Sequence, residues 1–184
     1  MKKELRKQYL ALRLKKPETN LLEISKKIID NLFTVPEFLC AETIMVYVSF
    51  RSEVDTLPLI KKLLEQKRRV CVPLCNSYDC SMTAREITEF SDLYSGSYGI
   101  LEPKETAPVV SKNEIDFIIV PGCAFSLDGH RIGYGKGYYD RFLRGTDAYT
   151  CGLCYDFCLL KTIPTEETDV ALNMIITQNG IIKP

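Results

Sequence analysis

The residues best suited to chemistry lie in one stretch, Arg131-Ile-Gly-Tyr-Gly-Lys-Gly-Tyr-Tyr-Asp-Arg141. Gly133, Gly135 and Gly137, three of the chain's ten glycines, fall within five residues. Arg131 precedes them and Lys136 interrupts them. Glycine has no Cβ, so its backbone reaches positive φ and approaches a ligand closely. Successive N–H groups in such a loop form an anion-binding concavity, and a helix starting beyond it adds unpaired N–H groups. Arg131 and Lys136 supply full charges, the arginine in a two-pronged geometry that suits phosphate. The chemistry indicated is the gripping of a phosphate or polyphosphate. The spacing is neither GxGxxG, because Tyr138 stands where the third glycine is needed, nor GxxxxGK[ST], because His130 and Gly137 occupy required positions. A flexible turn between strand and helix is the alternative reading of the same glycines.

The elements that must position this loop can be read around it. Residues 116–120 (Asp-Phe-Ile-Ile-Val) form the most strand-like run, and a helical run starts at Tyr138. Residues 1–16 predict a basic amphipathic helix with seven Lys/Arg against one Glu. Leu5, Tyr9 and Leu12 would face a core, while Lys2, Arg6 and Arg13 share a neighbouring face at offsets of four and seven. That basic face reads as a solvated surface, as a lid over an anionic ligand, or as an arm for nucleic acid. Pro17 ends the helix. Asn20 and Glu23 suggest a capping box opening a second helix to about Phe33, burying Leu22, Ile24, Ile28, Ile29 and Leu32. Residues 43–49 read as a buried strand, 55–66 as a helix with Leu57, Leu59, Ile60, Leu63 and Leu64 inward, and 69–73 as a second strand. One strand–helix–strand unit of this size argues for parallel pairing.

Residues 82–87, 149–153 and 173–177 complete the strands, with a short helix near Phe157. Residues 91–112, carrying Tyr98-Gly-Ile-Leu-Glu-Pro103, read as a long ligand-covering loop. The alternation predicts one α/β domain over residues 1–184, with three α/β/α layers and a largely parallel, mixed central sheet. Ligands in such sheets lie beyond the carboxyl ends of the strands. Residues 49–55, residues 121–139 and the loop after Leu153 should therefore converge.

Composition narrows the partners. The 24 basic and 24 acidic residues cancel, which argues against a general nucleic-acid or membrane surface. An apolar fraction of 46 % is enough for a sizeable core. No run predicts a membrane-spanning helix, and the charged N-terminus does not resemble a secretory leader, so a cytoplasmic location is expected. Eight cysteines without a secretory signal read as reduced thiols. Cys151 and Cys154 have CxxC spacing with Cys158 beyond them, but zinc would require a second pair, and buried small apolar residues are the main expectation.

Several of these segments together resemble the 5-formyltetrahydrofolate cyclo-ligase family over nearly the whole chain. The resemblance rests on Lys2-Lys-Glu-Leu-Arg6, Tyr47-Val-Ser-Phe-Arg-Ser-Glu-Val-Asp-Thr56, Gly99-Ile-Leu-Glu-Pro103, Val120-Pro-Gly-Cys-Ala-Phe125, and Gly129-His-Arg-Ile-Gly-Tyr-Gly-Lys-Gly-Tyr-Tyr-Asp-Arg141. The last block is the most specific. The resemblance implies ATP- and Mg²⁺-dependent closure of 5-formyltetrahydrofolate to 5,10-methenyltetrahydrofolate with release of ADP and phosphate. Lys2, Lys3, Glu4, Leu5 and Arg6 match the family's N-terminal ATP contacts. Arg131, Ile132, Gly133, Tyr134, Gly135, Lys136, Gly137, Tyr138 and Tyr139 match its glycine-rich ATP loop. Within that loop Tyr134 to Tyr138 also match positions near the folate, as do Val48 and Glu53. Asp140 matches a magnesium ligand. Asn173 stands where some members carry a second metal-binding acid, with Asp169 a nearby carboxylate. Ser126 and Thr168 depart from residues common in the family.

The residue types suit that reaction. Phosphoryl transfer depends on positioning and charge neutralisation, so Arg131 and Lys136 are the expected catalytic cations. Glu53 is expected to accept from the pterin's N–H edge, with capping of the helix near Asp55 as its other reading. Asp140 could instead pair with Arg141 or Arg144. Of Tyr138 and Tyr139, one should flank the ligand and the other pack inside. His130 is left outside the site, and a monomer is expected. A sugar-phosphate isomerase, a nucleotide-binding regulator and a nucleic-acid binder are the rival readings.

Overall fold

The computed structural model describes residues 1–96 and 99–184 of the chain. In it, Phe117, Ile118, Ile119 and Val120 are each 0 % exposed. A strand covered on both faces is a continuous apolar run rather than an alternation, which is how this segment reads. In chain order the elements are helices α1 (Lys2–Leu14), α2 (Glu18–Leu32) and α3 (Pro36–Cys40), strand β1 (Thr43–Val46), helix α4 (Leu57–Glu65), and strands β2 (Arg69–Cys75), β3 (Met82–Ile87), β4 (Leu93–Ser95), β5 (Leu101–Pro103), β6 (Val109–Val110), β7 (Phe117–Val120), β8 (Ala124–Ser126) and β9 (Arg131–Ile132). Helix α5 (Tyr138–Leu143) and strands β10 (Tyr149–Leu153), β11 (Leu159–Leu160), β12 (Met174–Thr177) and β13 (Gly180–Ile182) follow.

The main sheet has eight strands in the order β13-β12-β10-β7-β1-β2-β3-β6. Strands β12, β10, β7, β1 and β2 run parallel, and β13, β3 and β6 join antiparallel at the two sides. This is the mostly parallel, mixed α/β sheet that the alternation implied. Because β1, β7 and β10 point the same way, the segments following all three emerge at one edge. Residues 47–56, 121–139 and 154–158 meet there, as expected.

Residues 121–139 are more ordered than a loop. β8 and β9 form a hairpin, Phe125 opposite Arg131, and β11 pairs with β8 to make a three-stranded sheet. The hairpin docks through Phe125, whose ring lies over two glycines. A Cβ on Gly122 would sit 2.7 Å from the ring, and one on Gly152 in β10 would sit 2.4 Å from it. Both glycines are thus required by close approach. This contact seats the strand that starts the glycine-rich loop.

Several sequence expectations need correction. α2 begins at Glu18, because Pro17 fixes an extended backbone (φ −56°, ψ 141°) and its carbonyl accepts from Asn20 and Leu21. Asn20 therefore lies inside the helix, and the buried stripe is Leu21, Ser25, Ile28 and Leu32, with Leu22 47 % exposed. In α1 the buried residue is Arg13, while Leu5, Tyr9 and Leu12 are half-buried. Residues 91–112 contain β4, β5 and β6 rather than an irregular cover, and Tyr98 lies outside the described residues. The last strand is β13, turned antiparallel onto β12 through Gln178-Asn179.

Gly152→Ala should lower stability by about 1–3 kcal/mol, the usual cost of overpacking a filled core, because Phe125 and Leu172 have no room for the methyl group. Urea unfolding of the variant against the parent measures this.

Candidate active site

The glycine-rich loop runs from β9 to α5. Gly135 and Gly137 have φ of 98° and 67°, a region that L side chains rarely adopt. Both are also crowded. A Cβ on Gly135 would lie 3.2 Å from the Arg6 guanidinium, and one on Gly137 would lie 2.9 Å from Arg141. The base of the loop is closed by an ion pair: Arg131 Nη2 donates to Asp140 Oδ1 at 2.8 Å, and Nη1 donates to the carbonyl of Val170 at 3.2 Å. The Arg131 side chain is only 3 % exposed. Burial pushes its pKa down, and Asp140 opposes this.

α1 lies across this loop. Arg6 Nε donates to the carbonyl of Gly133 at 2.7 Å. Lys2 Nζ donates to Asp169 Oδ2 at 2.5 Å and lies 3.2 Å from Glu166 Oε1. Burial acts to lower the Lys2 pKa, but the bonds to Asp169 and Glu166 raise it overall. Burial likewise acts to raise Asp169, yet the Lys2 bond and the amide of Glu166 leave it below the usual carboxylate range. A cavity of about 410 Å³ opens between these groups. Lys2, Arg6, Arg131, Arg141 and Arg144 line it against Asp140, Glu166 and Asp169, so cations outnumber carboxylates. The backbone of Gly133, Gly135 and Gly137 forms part of its wall. Such an arrangement is built for an anion.

A second group of polar atoms adjoins it. Glu53 Oε1 accepts from the hydroxyl of Tyr134, in the glycine loop, at 2.5 Å. Its Oε2 accepts from the amide of Phe50 at 2.8 Å. Its backbone carbonyl accepts from the hydroxyl of Tyr155, just after β10, at 2.8 Å. Glu53 does not cap α4, since Asp55 Oδ1 accepts from Leu57 N at 3.1 Å instead. Glu53 and the glycine loop are therefore joined directly, although 81 residues separate Tyr134 from Glu53.

The remaining expected residues fall into two groups. Gly133, Tyr134, Gly135 and Gly137 are brought to the site, together with Lys2, Arg6, Arg131, Asp140 and Glu53. Lys3 and Glu4 are exposed, and Leu5 packs with Ile132, Cys123 and Ile163. Val48 belongs to the main core at 8 % exposure. Lys136 is exposed and does not line the cavity, while its carbonyl accepts from Arg141 at 2.5 Å. Tyr139 turns inward, its buried hydroxyl without a partner among the described residues, and Tyr138 packs at the core's margin. Asp140 pairs with Arg131 rather than Arg141 or Arg144. Asn173 stands at the amino end of β12 and is not brought to the cavity: its Oδ1 accepts from both Thr150 N and Thr150 Oγ1 at 2.8 Å. Asp169 lines the cavity in its place. Arg141, Arg144 and Glu166 were not among the residues singled out for binding. The i to i+4 spacing from Gly137 to Arg141 was the available signal for the first.

Asp140 and Asp169 suit Mg²⁺, which keeps several waters and takes one or two carboxylates alongside phosphate oxygens. Among the described residues no cluster of three or more His, Cys, Asp or Glu forms a protein-only metal cage. Cys151, Cys154 and Cys158 are buried free thiols. No helix among the described residues is long and apolar enough to cross a membrane.

Fold and site together define a class: an α/β enzyme with a cationic, glycine-walled anion cradle joined through Tyr134 to the Glu53 carboxylate, at the carboxyl edge of its sheet. The chain belongs to the 5-formyltetrahydrofolate cyclo-ligase family, whose model matches residues 1–178. It is 30 % identical over 164 residues to the 5-formyltetrahydrofolate cyclo-ligase of Escherichia coli K12, covering 86 % of this chain and 90 % of that one. It is 31 % identical over 197 residues to a probable 5-formyltetrahydrofolate cyclo-ligase of Caenorhabditis elegans, covering 99 % and 95 %. The solved structure of Aquifex aeolicus 5,10-methenyltetrahydrofolate synthetase superposes with a TM-score of 0.88 at 32 % identity, covering 99 % of this chain and 92 % of that one.

Burial pushes the Glu53 carboxyl above its ordinary range, against the opposing effects of Tyr134, Phe50 N–H and Arg13. A carboxyl raised in the folded state favours folding below its unfolded pKa and loses that contribution as pH rises through the folded value. Ionised Glu53 thus costs stability at neutral pH. Glu53→Gln should unfold at higher urea than the parent near about pH 7, with the gap closing toward about pH 4.

Proposed function

We propose that this chain closes 5-formyltetrahydrofolate to 5,10-methenyltetrahydrofolate, using ATP and Mg²⁺ and releasing ADP and phosphate. The observation that carries the reading is the junction of two half-sites through one loop: the cationic cradle around Gly133–Gly137 and the Glu53 carboxylate bonded to Tyr134. The reaction needs such a junction, because a phosphoryl group must pass from nucleotide to folate.

A formamide is a weak electrophile, since its nitrogen lone pair delocalises onto oxygen. Transfer of the terminal phosphoryl group of ATP to the formyl oxygen releases ADP and turns that oxygen into a leaving group. N10 of the folate then attacks the formyl carbon and loses its proton, and phosphate departs with the oxygen. No covalent nucleophile from the protein is required. Lys2, Arg6 and Arg131 neutralise the phosphates, and the amides of the glycine loop steady the moving group. Lys136, on a flexible four-carbon stem at the loop's outer side, swings onto the transferred phosphoryl oxygens. Mg²⁺, when bound by Asp140 and Asp169, supplies further charge neutralisation. Glu53 accepts from the pterin N–H groups and sets the orientation of N5 and N10.

The direct test is absorbance-monitored formation of the methenyl product, with and without ATP and Mg²⁺. A sugar-phosphate isomerase or a nucleotide-binding regulator on the same scaffold gives no product. Lys136→Ala should lower kcat by about 10²–10³-fold if it touches the transferred group. An effect of less than about 5-fold removes it from the chemistry. Asp140→Asn should raise the Mg²⁺ concentration needed for half-maximal rate while leaving the folate KM nearly unchanged. A shifted folate KM with unchanged Mg²⁺ demand points instead to loop positioning through Arg131.

A further inference from the structure

Arg13 carries a charge that the reaction above does not use. It sits in the last turn of α1 and is 1 % exposed. Its Nη2 donates to the carbonyl of Gly122, in the segment leading from β7 to β8. Its guanidinium carbon lies 5.7 Å from the centre of the Tyr155 ring. Nε and Nη1 are buried and find no nitrogen or oxygen acceptor among the described residues, the Cys158 thiol being the polar group beside the guanidinium. No carboxylate lies within ion-pair distance among those residues either, so the desolvation of this cation is not offset by a direct partner. Buried donors left unmade call for an explanation in function or in an opposing charge.

The Cys158 thiol, Tyr134 and Cys123 act on this cation, and it acts in turn on the Glu53 carboxylate. Two residues stand between Arg13 and Glu53. Tyr155 receives the Arg13 guanidinium near its ring and donates its hydroxyl to the Glu53 backbone carbonyl. Tyr134, on which the Arg13 charge also acts, donates its hydroxyl to the Glu53 carboxylate. We infer that Arg13 is a positioning residue for folate recognition: it is the buried counter-charge of Glu53, and its contacts with Gly122 and Tyr155 fix the segment that presents that carboxylate. The inference rests on the proposed function only for the identity of the ligand.

The surroundings of Glu53 leave the role to Arg13. Facing or influencing the carboxylate are Tyr47 after β1, Tyr134 in the glycine loop, Tyr139 in α5 and Cys123 before β8. Burial pushes all three tyrosines up and holds Cys123 up at about 11, so these groups stay neutral. Arg13 is the full positive charge acting on Glu53. Without it, Glu53 would hold its proton to higher pH and offer a donor where the pterin edge needs acceptors.

Two measurements test this. In the intact protein, the Arg13 ¹⁵Nε resonance should titrate with the same midpoint as the Glu53 ¹³C carboxyl signal, which Glu53→Gln assigns, and should stop titrating in that variant. This part needs no change at Arg13. In R13M, which preserves most of the packing volume, the Glu53 midpoint should rise by roughly one pH unit, and in R13K it should stay within about 0.3 of the parent. The folate KM of R13M should then rise as pH falls, at a pH higher than in the parent, while the ATP KM holds. An Arg13 resonance that is flat through the Glu53 titration, or equal Glu53 midpoints in R13M and the parent, overturns the inference. Matched NMR titrations in a protein that turns over no formylfolate would uphold the Arg13–Glu53 coupling and sink the proposed function instead.

Discussion

The Arg131–Asp140 ion pair ties β9 to α5 and closes the base of the glycine-rich loop. Everything at the site depends on that closure. The loop contains two residues in left-handed conformations, Gly135 and Gly137, and such a backbone would sample many shapes if its ends were free. With Arg131 almost wholly buried and also bonded to Val170, its two ends are held while its amides stay accessible. The pair lies partly open on the Asp140 side, at 28 % exposure, so the carboxylate is both a structural partner and a surface of the cavity. A fully buried pair would be rigid but chemically silent, and a fully exposed one would be too weak to hold the loop.

The same economy extends around the cavity. Lys2 is neutralised by Asp169 and Glu166, while Arg6, Arg141 and Arg144 donate to carbonyls of Gly133, Cys80 and Thr168. Cations collected to hold phosphate would repel one another if nothing intervened, so each is held by an acceptor already present. On the proposed reading, the phosphates of a Mg²⁺–nucleotide would add acceptors at Lys2 and Arg6, and Asp140 and Asp169 would hold the ion. Few charges are stranded, and this explains how five cations can share one cavity in a protein of zero formal net charge.

The sequence was informative wherever a single physical requirement dominated a segment. The β7 run, apolar at every position, could only be a covered strand, and the clustered glycines could only mark an unusual backbone. The offsets of Lys2 and Arg6 placed both on one helical face, and the structure sets both against the loop. Periodicity failed where two requirements competed. In α2 Pro17 set the start, and the expected burial held at Ile28 and Leu32 but fell on Leu21 and Ser25 in place of Leu22. Arg13 shared a face read as solvated surface, lid or nucleic-acid arm, and none of these readings buried it, since charge alone carries no mark of burial. Asn173 matched a family position in sequence, yet its Oδ1 is committed to Thr150 at the far end of the strand, a contact set by sheet register. The β8–β9 hairpin was hidden because its strands are three and two residues long and are held by Phe125 packing against remote glycines, not by local propensity.

The cationic face of α1 then has a meaning beyond anion binding. Lys2, Arg6 and Arg13 lie on one side of a single helix, with about 16 Å between the first and last at 1.5 Å per residue. The amino end of the helix meets the cationic cavity, and its last turn meets the Tyr155–Glu53 cluster. Between them, Arg6 holds the carbonyl of Gly133, next to the tyrosine that bonds Glu53. A helix does not bend easily over three turns, so a shift of α1 at the cavity is felt at the Tyr155–Glu53 cluster as well. One rigid element carrying three cations therefore links the two half-sites more directly than the sheet beneath them, whose strand ends are joined only through loops.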